Sequence, residues 1–149
     1  MKNINQRNKI VPEAHLFLVK NGKILMLRRG NVEYESGKWH MPAGHVENNE
    51  WPKECIIREG LEEVGVEVNS KDLHVIHIMY RKQKEQSDRI AVFIKCNKFQ
   101  NEPKICESDK HDKIGWYSPS KLPKPMMPYV AKAIKYIRKD IFYSEEITS

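Results

Sequence analysis

The sequence predicts one α/β domain in which strands flank a helix on both sides. Three observations carry this: two β-like runs at residues 13–19 and 23–28 around an Asn-Gly dipeptide, an amphipathic segment over 50–64, and two further apolar runs at 73–80 and 89–96. A chain of 149 residues, 40% hydrophobic and 31% charged, can close a single core and bury about two-thirds of its unfolded surface. It contains neither an internal repeat nor a low-complexity tract. Residues 1–149 are therefore expected to form one domain, with a core at about 12–142 and flexible ends.

The elements follow in order. Asn21-Gly22 accepts the positive φ of a two-residue turn, so EAHLFLV and KILMLR form an antiparallel hairpin. GKWHMPAGHVE, residues 37–47, mixes apolar residues with Pro42 and Gly44 and predicts a short strand and a tight turn. A helix follows from about Glu50 to Val64, with Asn48 or Asn49 to cap it, Pro52 in its first turn and Gly65 to end it. Ile57, Leu61 and Val64 stand at i, i+4 and i+7 and predict its buried stripe; Glu59, Glu62 and Glu63 share the opposite, wet face. LHVIHIMY and RIAVFIKC predict strands joined by a charged turn, and KIGWY at 113–117 another. From Pro128 to Phe142, Val130, Ile134, Ile137 and Ile141 recur at helical spacing, with Lys132, Lys135 and Lys139 elsewhere on the circumference. That pattern predicts a second helix laid on a sheet with its lysines in water.

Composition excludes several classes. MKNINQRNKI lacks the apolar stretch of a secretory signal, and no run approaches the ~20 apolar residues of a membrane span, so a cytoplasmic protein without a membrane partner is expected. Three widely spaced cysteines, Cys55, Cys96 and Cys106, argue against a disulfide framework or a CxxC metal site and read as buried free thiols. The net charge of +6 is concentrated at the two ends, and solvated lysine faces account for it.

The acidic helix face carries the chemistry. Glutamate is a good helix former, so three carboxylates alone need only water. Yet like charges at i and i+4 repel by roughly a few tenths of a kcal/mol, and no lysine answers them from neighbouring positions of that face. A bound divalent cation would reverse the sign. Mg²⁺ is the natural candidate, with Mn²⁺ as a substitute, because it takes hard oxygen ligands and joins carboxylates to substrate phosphates. Such a site suits phosphoryl chemistry.

GHVENNEWPKECIIREGLEEVGV, residues 44–66, resembles the Nudix box of MutT-like hydrolases, G-x5-E-x7-R-E-U-x-E-E-x-G-U with U a bulky aliphatic residue. Gly44, Glu50, Arg58, Glu59, Glu62, Glu63, Gly65 and Val66 fall in register. Seven fixed identities coincide by chance about once in 10⁸ to 10⁹ windows. Gly60 departs, standing where the family has an aliphatic residue or alanine; a mid-helix glycine costs ~1 kcal/mol and predicts close packing against a strand. WHMPAGHVE, the hairpin ending in Arg28 and Arg29, and IGWYSPSKLP extend the likeness over about residues 12–142.

The resemblance implies a Nudix-type α/β/α sandwich around a mixed β-sheet and Mg²⁺-dependent attack of water on a nucleoside diphosphate linked to another group. It implies Glu59 and Glu63 as principal metal ligands, Glu62 as a further ligand or the base, and the Gly44 carbonyl completing the set. Glu50 and Arg58 would form a supporting ion pair. Glu102, Glu107 and Asp109 are the downstream candidates for a base, and Arg28, Arg29, Trp39 and Glu107 the candidates for substrate contact. Where ADP-ribose and dinucleotide-polyphosphate hydrolases of the family carry a proline or a tyrosine, this chain has Lys82, Gln83 and Lys84. Met126 stands where MutT reads oxidised guanine with an asparagine. Conversion of a nucleoside triphosphate to a monophosphate and pyrophosphate is therefore the expected reaction. An ADP-ribose or NDP-sugar pyrophosphatase, an RNA 5′-end pyrophosphohydrolase and a non-hydrolytic nucleotide sensor are the alternatives. The expected partner is a small nucleotide; RNA and a homodimer stay open.

Overall fold

The structure, a computed structural model, describes residues 6–148; of the ends expected to be flexible, residues 1–5 and 149 lie outside the described residues. Strands β1 (Ile10–Lys20) and β2 (Lys23–Arg29) form the opening hairpin. Asn21 and Gly22 turn it at φ 52° and 73°, the left-handed pair that a tight hairpin requires. Beyond the register pairs Val19↔Ile24 and Lys20↔Lys23, β1 leaves β2 and pairs with β4 (Ala43–His45). The short β3 (Trp39–His40) lies on β2.

After helix α1 (Pro52–Val64) come β5 (Glu67–Val68), a 3₁₀ turn at Ser70–Asp72, β6 (His74–Gln83), β7 (Asp88–Cys96), β8 (Phe99–Gln100) and β9 (His111–Tyr117). Helix α2 (Pro128–Arg138) and β10 (Tyr143–Thr148) complete the chain. The main sheet runs β10-β6-β7-β1-β2-β3, with β4 on β1 and β9 on β2. It is mixed: β1 pairs β7 in parallel and β10 pairs β6 in parallel, whereas the β6–β7 and β1–β2 pairs are antiparallel.

Period-two alternation divides the core between the faces of this sheet. Ala14, Leu16 and Leu18 of β1, with Val92 and Ile94 of β7, pack against Cys55, Ile56 and Val64 of α1. Phe17, Ala91 and Phe93 point the other way, onto Val130, Ala133 and Ile134 of α2. One helix on each face gives the α/β/α sandwich, and each fully buried Leu or Ile contributes about 1.5–3 kcal/mol.

Helix α1 corrects two local expectations. Its N-cap is Trp51, whose N–H donates to Glu54 Oε1 at 2.9 Å; the expected caps, Asn48 and Asn49, lie ahead of it in the loop, Asn49 at φ 66°. The buried stripe is Cys55, Ile56, Gly60, Glu63 and Val64, and Leu61 is 53% exposed. The helix is rolled because β4 covers its acidic side as well as β1 its apolar side. Pro52 and Gly65 do begin and end it, Gly65 at φ 73°. A Cβ on Gly60 would stand 3.5 Å from Leu16 Cδ2 and 3.4 Å from Val66 Cγ2, which is the close approach to a strand that its departure predicted.

Helix α2 is shorter than the sequence suggests. Asp140 at φ 56° breaks it, so Ile141 leaves the stripe and its carbonyl accepts from His77 Nδ1 at 2.7 Å. The chain then returns as β10, which the sequence reading lacks because YSEEIT has almost no apolar content. Ser144 Oγ within 2.8 Å of His77 Nε2 and Lys132 Nζ within 2.9 Å of Glu146 hold it. Cys106 is exposed, unlike Cys55 and Cys96, because it lies on the loop that crosses the end of α1. Among the described residues no helix is long and apolar enough to cross a membrane.

Candidate active site

Arg58 ties the loop before α1 to the helix. Its Nε and Nη2 donate to the two carboxylate oxygens of Glu50 at 2.8 and 3.0 Å, a bidentate pair. Nη1 donates to Glu59 at 2.6 Å and lies 3.5 Å from Glu62, and Nη2 reaches the His45 carbonyl at 3.3 Å. Hydrogen bonding from Arg58 brings the Glu50 pKa down to about 2. The same bonds, Glu50 first, push the Arg58 pKa up.

The three box glutamates do not share one wet face. Glu62 is half-exposed, but Glu59 and Glu63 are turned under β4 and nearly buried. Glu63 Oε1 accepts from the Ala43 N–H at 3.0 Å, and its Oε2 lies 3.6 Å from His111 Nε2. Burial raises the Glu63 pKa well above the usual 4.5, and the neighbouring Glu59 carboxylate raises it further. The loop carrying Glu107 docks on the end of α1 through Lys104 N–H to Val64 O (3.0 Å) and Cys106 N–H to Glu63 O (3.1 Å). It brings ligand atoms of Glu63, Glu107 and His111 within 4.8 Å of one another. His111 is kept uncharged by burial, its pKa lowered to about 4, and its Nε2 lies 3.1 Å from that of His40.

These residues fit a divalent cation. Two adjoining carboxylates are withdrawn from water, and a Cβ on Gly44 would collide with the Glu59 carboxylate, so the strand is cut away where that group sits. The donors are hard oxygens with one neutral imidazole beside them, a set suited to Mg²⁺ or Mn²⁺.

Beside Gly44 and Ala43 opens a cleft of about 480 Å³. Arg29, Lys84 and Arg89 give its walls positive charge, and Glu13, His15, Arg81 and Tyr129 also line it.

The NUDIX domain family model matches residues 11–137. The chain belongs to the Nudix family. Over 121 residues, 80% of this chain and 85% of the relative, it is 26% identical to the CTP pyrophosphohydrolase of Escherichia coli K12. It is 29% identical to the 8-oxo-dGTP diphosphatase of Proteus vulgaris over 62 residues, 42% of this chain and 55% of that one. Among solved structures it superposes on a MutT NUDIX hydrolase from Burkholderia pseudomallei with a TM-score of 0.77 at 23% identity, covering 86% of this chain and 98% of that one. A MutT protein from Methanosarcina mazei Go1 gives 0.74 at 21%, over 89% and 96%. These structures share the fold, and the chain is a Nudix hydrolase acting on phosphoric anhydride bonds.

In this hydrolase the candidate residues for substrate contact separate. Arg29 lines the cleft, its Nε donating to the Tyr34 carbonyl at 2.8 Å. Arg28 is outside it, bound to Asp112 at 2.6 and 2.8 Å, and Trp39 is buried edge-on against Tyr117 with 5.2 Å between ring centroids. Glu102, a candidate base, pairs with Lys20 away from the box. Glu107 stands beside Glu63. Sequence reasoning missed Glu13, His15, His40, Arg81 and His111, which lie in or beside runs that read as plain strands and belong to no local motif.

Gly44→Ala is expected to leave the fold intact and disable the site. The three atoms nearest the added methyl all belong to the Glu59 side chain, which can move, and none to backbone. Displacing that carboxylate should weaken metal affinity by about 10- to 100-fold with a melting temperature near wild type, read by a Mn²⁺ titration and a thermal melt.

Proposed function

We propose that this Nudix hydrolase converts a nucleoside triphosphate to the monophosphate and pyrophosphate, with Mg²⁺ held by Glu59, Glu63 and the Gly44 carbonyl. The observation that carries the reading is the join between two features: nearly buried Glu59 and Glu63 at β4, and a basic cleft opening beside the same Gly44. A polyphosphate can lie across that join with its nucleoside in the cleft. The aligned CTP pyrophosphohydrolase, which covers most of this chain, supports a triphosphate over a sugar-linked diphosphate.

The metal ion, when bound, neutralises phosphate oxygens and lowers the pKa of water. The chain's own residues do the rest. Arg58, braced by Glu50, fixes the rotamer of Glu59. The Ala43 N–H orients Glu63, and burial keeps competing water from it. Glu62, the exposed member of the three, takes the proton of the attacking water. Arg29, Lys84 and Arg89 attract the polyanion.

The test is a hydrolysis panel of NTPs, dNTPs, oxidised dNTPs, ADP-ribose, NDP-sugars and triphosphorylated RNA with Mg²⁺ or Mn²⁺. Turnover of triphosphates to monophosphate and pyrophosphate is expected. Exclusive turnover of ADP-ribose or an NDP-sugar, activity on RNA that collapses with salt, or inertness toward every compound would overturn the reading.

A further inference from the structure

Glu13 and Arg81 form a buried ion pair that the reaction above does not use. Arg81 Nη2 donates to Glu13 Oε1 at 2.6 Å, the two residues are 3% and 6% exposed, and the guanidinium lies 3.7 Å over the Tyr129 ring. His15 Nε2 approaches the same Oε1 at 3.3 Å, and its ring is stacked on Phe93. Packing does not explain this cluster. Arg81 Nε and Nη1 and His15 Nδ1 have no hydrogen-bond partner among the described residues. Unsatisfied buried polar groups destabilise a fold, and apolar residues commonly replace a buried ion pair without loss of stability.

Placement says what the cluster faces. Both residues line the cleft, and Glu13 pairs in register with His45 while its neighbour Ala14 pairs with Gly44. Glu13 Oε1 is taken by Arg81 and His15, whereas among the described residues Oε2 has only His45 Nε2, at 4.0 Å. An anionic oxygen is thus offered to whatever occupies the cleft one residue along the strand from Gly44. Burial would raise the pKa of this carboxyl, but His15 and Arg81 outweigh it and bring it to about 2, so the group only accepts hydrogen bonds at neutral pH.

We infer that Glu13, fixed by Arg81, reads the exocyclic amino group of a nucleobase, so that the enzyme favours amino-bearing bases over their keto counterparts. The inference rests on the nucleotide reading of the site. An amino group donates to the carboxylate; a keto oxygen in its place sets lone pairs against a negative charge. A hydrogen bond to a charged group contributes about 1.5–3 kcal/mol, which is roughly 10- to 100-fold in kcat/KM.

Two substrate pairs exchange that group for a keto oxygen, CTP against UTP and ATP against ITP, and a third, GTP against ITP, replaces it with hydrogen. In wild type at least one pair should differ by about tenfold or more in favour of the amino form. In Glu13→Gln, whose amide both donates and accepts, the same ratio should fall toward one. Calorimetric binding of CMP, UMP, AMP, GMP and IMP without metal should show the same preference and the same loss. Wild-type ratios within twofold for all three pairs overturn the inference without any need for the variant, as does a folded Glu13→Gln protein that keeps the ratio. If triphosphates are turned over without preference, the subsite alone fails. If monophosphates bind with the preference but no triphosphate is cleaved, the proposed reaction fails and the subsite stands.

Discussion

Glu63→Gln should abolish turnover, by on the order of 10²- to 10³-fold, while leaving the metal-free protein at least as stable as wild type at pH 8. The two effects have one origin. Glu63 is buried against Glu59, and its folded pKa is raised above the 4.5 of the free side chain. The native state therefore holds a proton that the unfolded chain has lost. Its contribution to stability is full below about pH 4.5 and is lost as pH rises through the folded value. Glutamine keeps the shape and the bond from Ala43 N–H but carries no charge, so that part of the pH dependence should vanish. Adding Mg²⁺ should raise the wild-type melting temperature at pH 8 and leave the variant's nearly unchanged. Melts from pH 5 to 8, with and without Mg²⁺, check all three statements. A variant that is clearly less stable than metal-free wild type at pH 8 would show that Glu63 is structural.

Arg58→Lys should be far from conservative. Lysine offers a point charge and cannot serve both oxygens of Glu50 together with Glu59. A loss of about 1–3 kcal/mol is expected from the broken network, together with a 10- to 100-fold fall in kcat as Glu59 loses its orienting partner. The pH dependence has the opposite sign to that of Glu63. Glu50 has its pKa depressed to about 2 by Arg58, so the stabilisation is present above about pH 4.5 and is lost as pH falls through 2. The gap between wild type and variant should accordingly close in acid. Equal melting temperatures at pH 7 would mean that the pair is only a surface contact.

The sandwich was legible because its elements are strongly periodic. β1 and β7 alternate between two apolar cores, and Asn21-Gly22, Pro52 and Gly65 act as local punctuation that tertiary contacts do not override. The roll of α1 was not legible. Charge was taken to mean water, which put Ile57 and Leu61 inside; in fact β4 covers Glu59 and Glu63, and Ile56 and Gly60 take the buried places. Motif spacing brought the box residues to notice, yet it says nothing of the cleft. Glu13 and Arg81 are 68 positions apart and meet only because β7 lies between their strands. β10 escaped because a polar edge strand is held by His77 and by backbone pairing rather than by an apolar face.

Phosphorus NMR of a nucleoside triphosphate incubated with the enzyme tests the central claim most directly. With Mg²⁺ the resonances of a monophosphate and pyrophosphate should grow together in equal amounts, and chelation or Glu63→Gln should stop them. Release of orthophosphate with a diphosphate, or turnover that persists without any divalent ion, would contradict the account.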